Sequence, residues 1–181
     1  MICFSGNLPV LQIGNHQVVG YGTEWIEESL KRAAASSNRL DFPFIEDIRD
    51  GIVHYLEHRC SLRLLPIDDL YEKMRCMLNC LGCTAIAHNL TVLSPPITIS
   101  LAQSAREAGT GFELAFFLKL GQDIEELIAK GVESIRFRDI EECSRILKGH
   151  RTMTKSCRQL AEEIIHFVTA FPVTQLKSES D

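Results

Sequence analysis

PVLQIGNHQVVGYGTEWIEESLKRAAASS, residues Pro9 to Ser37, changes its period halfway along. Two β-prone runs flank Gly14-Asn15, and a Gly-Asn pair between such runs predicts a hairpin with Val10–Ile13 and Gln17–Val19 as its strands. Thr23 then stands where a helix N-cap is wanted. Beyond it Trp25, Ile26, Leu30, Ala33 and Ala34 recur at helical spacing, and Glu27, Glu28, Lys31 and Arg32 fall on the outward side. The polar stretch SSNRLDFP breaks this helix.

Outward from there the chain stays helical for some fifty residues. Phe44 to Cys60 predicts a second helix with Ile45, Ile48, Ile52, Val53 and Leu56 as its buried stripe. SLRLL reads as a connector. Pro66 opens a third helix at the position where its missing N–H costs least, with Asp68 and Asp69 near the positive end. That helix runs to about Gly82, and TAIAHNL forms a short fourth. LSPPITIS marks a boundary, because Pro95-Pro96 cannot sit inside a helix and the β-branched run after it begins a strand.

The second half predicts a strand at GFELAFFLKL, a short helix at GQDIEELIAKG and a strand at VESIRF. DIEECSRILKG follows as a helix with Gly149 as C-cap, and TKSCRQLAEEIIHFVTAF as a last amphipathic helix. TQLKSESD is polar and expected to fray. The fold class expected is α+β. A mostly helical unit carrying a β-hairpin spans 1–93, a small α/β unit spans 94–172, and a flexible tail spans 173–181.

Composition narrows the function. Apolar residues make up 45% of the 181 residues, enough for a core. The net charge of −5 argues against a chain whose main task is neutralising phosphates along DNA or RNA. No apolar run approaches the roughly 18–20 residues needed to cross a bilayer, and no signal peptide is visible. The seven cysteines are an odd number, and with no export signal they read as reduced thiols of a cytoplasmic protein.

Two motifs raise the question of metal. His54 to His58 spells HYLEH, in which His54 and His58 share one helical face with Glu57 as a general base beside them, the logic of the H-x-x-E-H zinc peptidases. Glu126 and Glu133 lie where a third ligand would come from. The competing reading is a solvated face, since the helix's apolar stripe lies elsewhere and Arg49, Asp50, Glu57 and Arg59 surround the histidines. Cys76, Cys80 and Cys83 give C-x3-C-x2-C, the spacing of some cluster-binding loops. On a helix the three form one stripe of small apolar residues, expected to face the core. His88 near Cys83 lacks the second C-x-x-C pair of a zinc site. The expectation is a protein without zinc or iron and without a cofactor.

In the second half, Arg136 and Arg138 alternate with Ile135 and Phe137 and share one face of their strand. With Lys148, His150, Arg151, Lys155 and Arg158 nearby they are candidates for an anion site. The plainer alternative pairs them with Glu133, Asp139, Glu141 and Glu142. AGTGF, Ala108 to Phe112, reads as a flexible turn joining two strands.

The order hairpin, helix, helix, helix, short helix over residues 8–92 resembles an ATP-cone. The stretch Pro9–Ser37 and the later IDDLYEKMRCMLNCLGCTAIAHNL carry the likeness. ATP-cones are regulatory nucleotide-binding modules of ribonucleotide reductases and of a repressor of those enzymes. The resemblance implies ATP or dATP as a regulatory ligand. The family's first strand ends in Lys-Arg before its glycine turn, where this chain has Gln12 and Ile13, so Lys31 and Arg32 are the nearest remaining cations for a nucleotide. The function expected is that of a non-catalytic, cytoplasmic regulatory or interaction protein, partnered by a nucleotide, by another protein or by its own copies. A small zinc-dependent hydrolase using His54, Glu57 and His58, and a purely structural partner-binding protein, are the two other classes that the residues leave open.

Overall fold

The computed structural model describes residues 8–39 and 42–176, without the side chains of residues 175 and 176. The fold is α+β, with eight helices and six short strands among the described residues. The chain divides into two compact units, 1–95 and 96–181.

The first unit begins with β1 (Val10–Ile13) and β2 (His16–Val18), an antiparallel pair in which Ile13 faces His16 across a two-residue turn. Gly14 takes φ +56 there, a left-handed conformation in which a β-carbon is strained. Leu11 and Ile13 point to the core. α1 (Glu24–Ser36) buries Trp25, Ile26, Leu30, Ala33 and Ala34. Thr23 is its N-cap residue but makes no side-chain capping bond. α2 (Ile45–His58) buries only Ile48, Ile52 and Leu56, so Ile45 and Val53 stay half-buried rather than completing the expected stripe.

The SLRLL connector contains a strand. β3 (Leu64–Pro66) pairs parallel to β1, giving a three-stranded mixed sheet in the order β2-β1-β3. Three residues are too few to show a period, but Leu65 is fully buried while Leu64 is exposed, the alternation of a strand. α3 (Ile67–Cys80) follows without a gap, and α4 (Thr84–Asn89) closes the unit. Between them the Gly82 N–H donates to Asn79 O at 3.0 Å and the Cys83 N–H to Leu78 O at 2.8 Å. With Gly82 at φ +75 this is the Schellman ending of a helix. Tyr71, fully buried, donates its hydroxyl to Leu93 O at 2.8 Å and accepts from Leu93 N–H at 2.9 Å. One phenol thereby ties the last segment of the unit onto α3.

The second unit contains β4 (Ile97–Ser100), α5 (Leu101–Ala108), α6 (Glu113–Ala129), β5 (Ile135–Arg138), α7 (Ile140–Lys148), α8 (Lys155–Thr169) and β6 (Thr174–Leu176). Its sheet is wholly parallel, in the order β4-β5-β6. Three expectations change here. GFELAFFLKL is helical, and with GQDIEELIA it makes the single helix α6, which passes through Gly121. Phe116, Leu120, Ile124 and Leu127 are buried at spacings of four, four and three, so the apolar run serves a helical face and not a strand. SLAQSAREA forms α5, which leaves AGTGF joining two helices, with Gly109 and Gly111 at φ +93 and +84. Thr174–Leu176, expected to fray, is held as β6 by parallel pairing to β5, from Ile135↔Thr174 to Phe137↔Leu176. The rest of the expected tail, 177–181, lies outside the described residues.

Candidate functional site

In the first unit α2 packs on α1 and makes little contact with α3. The gap between α2 and α3 is a groove with two basins. The larger, about 620 Å³, lies among Phe42, Phe44, Ile48, Met77 and Leu81, with the exposed Arg39 and Asp47 at its edge. The smaller, about 270 Å³, lies among Ile52, Tyr55, Leu70 and Met74, with Lys73 beside it. Gly51 and Met77 line both basins. A β-carbon built on Gly51 meets no atom within 4 Å.

The groove's walls are apolar and partly bare. Phe44 is 56% exposed and Leu81 59% exposed. Phe42 and Phe44 pack edge-to-face with centroids 5.7 Å apart, which fixes two large rings at the mouth. Lys73 Nζ lies 5.9 Å from the centre of the Tyr55 ring, so this cation beside the smaller basin rests over an aromatic face. Methionines at the junction give a deformable surface that accepts varied shapes. Among the described residues the groove offers apolar burial, edge charges and the lone Cys83 thiol, but no converging acid–base pair.

Of the candidate site residues singled out from the sequence, only Cys83 reaches this groove. Lys31 and Arg32 project from α1, and each meets a carboxylate one turn earlier: Lys31 with Glu27 at 2.6 Å, Arg32 with Glu28 at 2.8 Å. Glu27 also takes Arg49 of α2 at 2.7 Å. The hydrogen bond from Lys31, with Arg49 adding to it, holds the Glu27 carboxyl below the usual range, and Glu27 in turn holds Lys31 above its own. At the hairpin Ile13 is fully buried, and Gln12 donates to Gly14 O at 3.4 Å. Those two positions present no cation to a ligand.

His54 and His58 lie on the exposed side of α2 with their rings stacked, 4.4 Å between centroids and 26° between planes. Ring nitrogens bind metal in the plane of the ring, and stacked planes do not aim their nitrogens at one point. His58 Nδ1 sits instead 3.1 Å from His54 O, with Glu57 3.9 Å away. Glu126 and Glu133 belong to the other compact unit. Among the described residues no three His, Cys, Asp or Glu side chains are placed to share a metal ion.

The cysteine stripe is corrected. Cys76 and Cys80 are exposed and Cys83 is half-buried. The core side of α3 is Leu70, Tyr71, Met74 and Leu78, and Cys76 and Cys80 each fall two residues after a buried one, roughly 200° around the helix. Only Cys83 touches the groove.

Arg136 and Arg138 do share the exposed face of β5. Arg138 Nε lies 3.5 Å from Asp139. Of the neighbouring cations, Lys148 is bound to Glu113 at 2.7 Å. Glu142, expected beside the arginines, pairs with Arg106 instead.

The groove itself escaped the sequence reading. One signal for it was present: Gly51, inside a helix, where glycine costs about 1 kcal/mol relative to alanine and so asks for a reason. No family model, no curated protein and no solved structure matches the chain.

Proposed function

We propose that this chain is a non-catalytic interaction protein whose first unit is a cone-like frame, and that the α2–α3 groove receives an amphipathic helical segment of a partner protein. The observation that carries this is the groove: two apolar basins that share Gly51 and Met77, the larger flanked by the exposed Phe44 and Leu81. Exposed apolar surface of this kind is unfavourable in water and marks recognition sites, and grooves between helices are a standard seat for an amphipathic helix. The order of hairpin and four helices in this unit supports the cone-like reading. Six free thiols among the described residues accord with a cytoplasmic setting. No helix among the described residues is long and apolar enough to cross a membrane.

The test is a selection of helical peptides displayed on phage against the full chain, with Gly51→Trp as counter-target. Enriched peptides should carry apolar residues at i, i+3 or i+4, and i+7, and should lose binding to the variant. Absence of enrichment, or equal binding to both proteins, removes the reading.

A nucleotide is the second ligand that the cone-like order supports. Lys31 and Arg32 are exposed, but phosphates would have to compete with Glu27 and Glu28 for them. Calorimetric titration with ATP and dATP decides: a Kd below about 100 μM, roughly 5.5 kcal/mol of binding free energy, lost when both cations become alanine, supports a sensor. No heat with either nucleotide removes the sensor reading.

A further inference from the structure

A parallel sheet is normally covered on both faces. Among the described residues the β4-β5-β6 sheet is covered on one. Ile97, Ile99, Ile135 and Phe137 are 5% exposed or less, whereas Thr98, Arg136 and Arg138, which alternate with them, are exposed. The register sets Thr98 directly beside Arg136, and Ser100 beside Arg138. By strand geometry the two arginine Cα atoms lie roughly 6.6 Å apart and Thr98 sits roughly 4.8 Å across from Arg136. Two guanidinium forks and one free hydroxyl thus stand on a single flat surface.

The charges are incompletely answered. Arg136 makes no ion pair among the described residues, and Arg138 has only the 3.5 Å contact of its Nε with Asp139. The Asp139 carboxylate also accepts the Ser100 hydroxyl at 2.5 Å. Among the described residues that leaves N–H donors of both forks without an acceptor. Paired guanidiniums match a dianion better than a monoanion, and the planar fork matches phosphate oxygens two at a time. Nothing among the described residues encloses the surface, so an anion held there by some of its oxygens keeps another free to carry an organic group.

We propose that this open sheet face binds the dianionic phosphate of a small-molecule phosphate monoester, held by Arg136 and Arg138 with the Thr98 hydroxyl donating beside them. The site is separate from the α2–α3 groove and stands whether or not that groove has a partner.

The experiment is a titration of the full chain with phenyl phosphate, followed by the arginine Nε–H signals in NMR and by calorimetry, with inorganic phosphate and benzoate as parallel probes. Phenyl phosphate should bind with a Kd at or below about 1 mM, shifting the Arg136 and Arg138 signals. Arg136→Ala and Arg138→Ala, both at exposed positions, should each weaken it about tenfold or more, the loss of a charge-assisted hydrogen bond. Lys119→Ala, on α6, should leave it unchanged. Asp139→Asn, which removes the competing carboxylate and suits the left-handed φ of +65 there, should tighten it. No saturation by about 10 mM phenyl phosphate, or equal binding by the double arginine variant, overturns the proposal, the millimolar range being where a real two-arginine site must show itself. Benzoate binding as tightly would make the site one for carboxylates, and tighter inorganic phosphate would make it one for the free ion. Either result overturns the monoester assignment.

Discussion

Gly51 is the residue on which the groove turns, and replacing it separates stability from function. It lies in the middle of α2, without the positive φ that only glycine tolerates, and its missing β-carbon faces empty space. Gly51→Ala therefore relieves a helix-interior glycine without creating a contact that could offset the gain. Stabilisation of about 0.5–1 kcal/mol is expected. For a unit of this size that corresponds to a rise of about 2–8 °C in the midpoint of thermal unfolding. Gly51→Trp instead places an indole between the two basins. It should leave the fold intact, since the groove is open, and should lower the affinity of any groove-seated peptide by at least about tenfold. Urea denaturation followed by far-ultraviolet circular dichroism measures the first effect, and peptide titration the second. A Gly51→Ala protein less stable than the parent would mean that the position is already filled, and the groove would then be no groove. A Gly51→Trp protein that binds as before would move the ligand elsewhere.

Three other outcomes follow from single contacts. Tyr71→Phe removes both hydrogen bonds to buried Leu93 and should destabilise the first unit by about 2–6 kcal/mol, since each unmet buried group costs roughly 1–3; a loss below about 0.5 kcal/mol in urea denaturation would show that the clamp is unimportant. Because Lys31 and Arg49 lower the folded pKa of Glu27 below its unfolded value, the stabilising ion pairs are fully present above the ordinary carboxylate pKa and are lost as pH falls through the folded value. Glu27→Gln should therefore flatten the fall in stability below about pH 4.3, and an unchanged acid limb in pH-dependent denaturation would contradict the pairing. Exposed Cys76 and Cys80 should be modified by a maleimide within minutes at neutral pH, whereas Cys143, buried and with its thiol pushed up to about 12 by burial, should react only on unfolding; mass spectrometry of tryptic peptides reads both.

Long amphipathic segments announced themselves in the sequence. α1, α7 and α8 carry buried residues at helical spacing along their whole length, and the left-handed Gly149 at the end of α7 is where a C-cap glycine belongs. The hairpin was equally plain, because Gly14-Asn15 stands between two short β-prone runs. Elements whose identity depends on partners were not legible. β3 and β6 are three residues each and exist because β1 and β5 offer them a ladder. α6 was obscured by its own apolarity: Leu114 and Leu118 are exposed on the side away from the core, so LAFFL lacks the clean polar alternation that would separate helix from strand. The cysteine stripe failed for a related reason. Cys76, Cys80 and Cys83 have helical spacing, but so does the stronger row of Leu70, Tyr71, Met74 and Leu78, and only one row can face the core. The groove could not be read from spacing at all, since it arises where α2 leaves α3, a matter of tertiary packing and not of local pattern.

The methionine methyl groups give the most direct test of the groove as a binding site. The chain has four methionines. Met74 and Met77 line the basins of the groove, and Met153 lies in the other unit, beside Ser144. In a carbon-13 methyl spectrum of the full chain, a saturating selected peptide should shift Met77 and Met74 while leaving Met153 in place, and Gly51→Trp should abolish the shift. Peptide binding that moves Met153 and leaves Met74 and Met77 unperturbed would contradict the assignment of the α2–α3 groove as the recognition site.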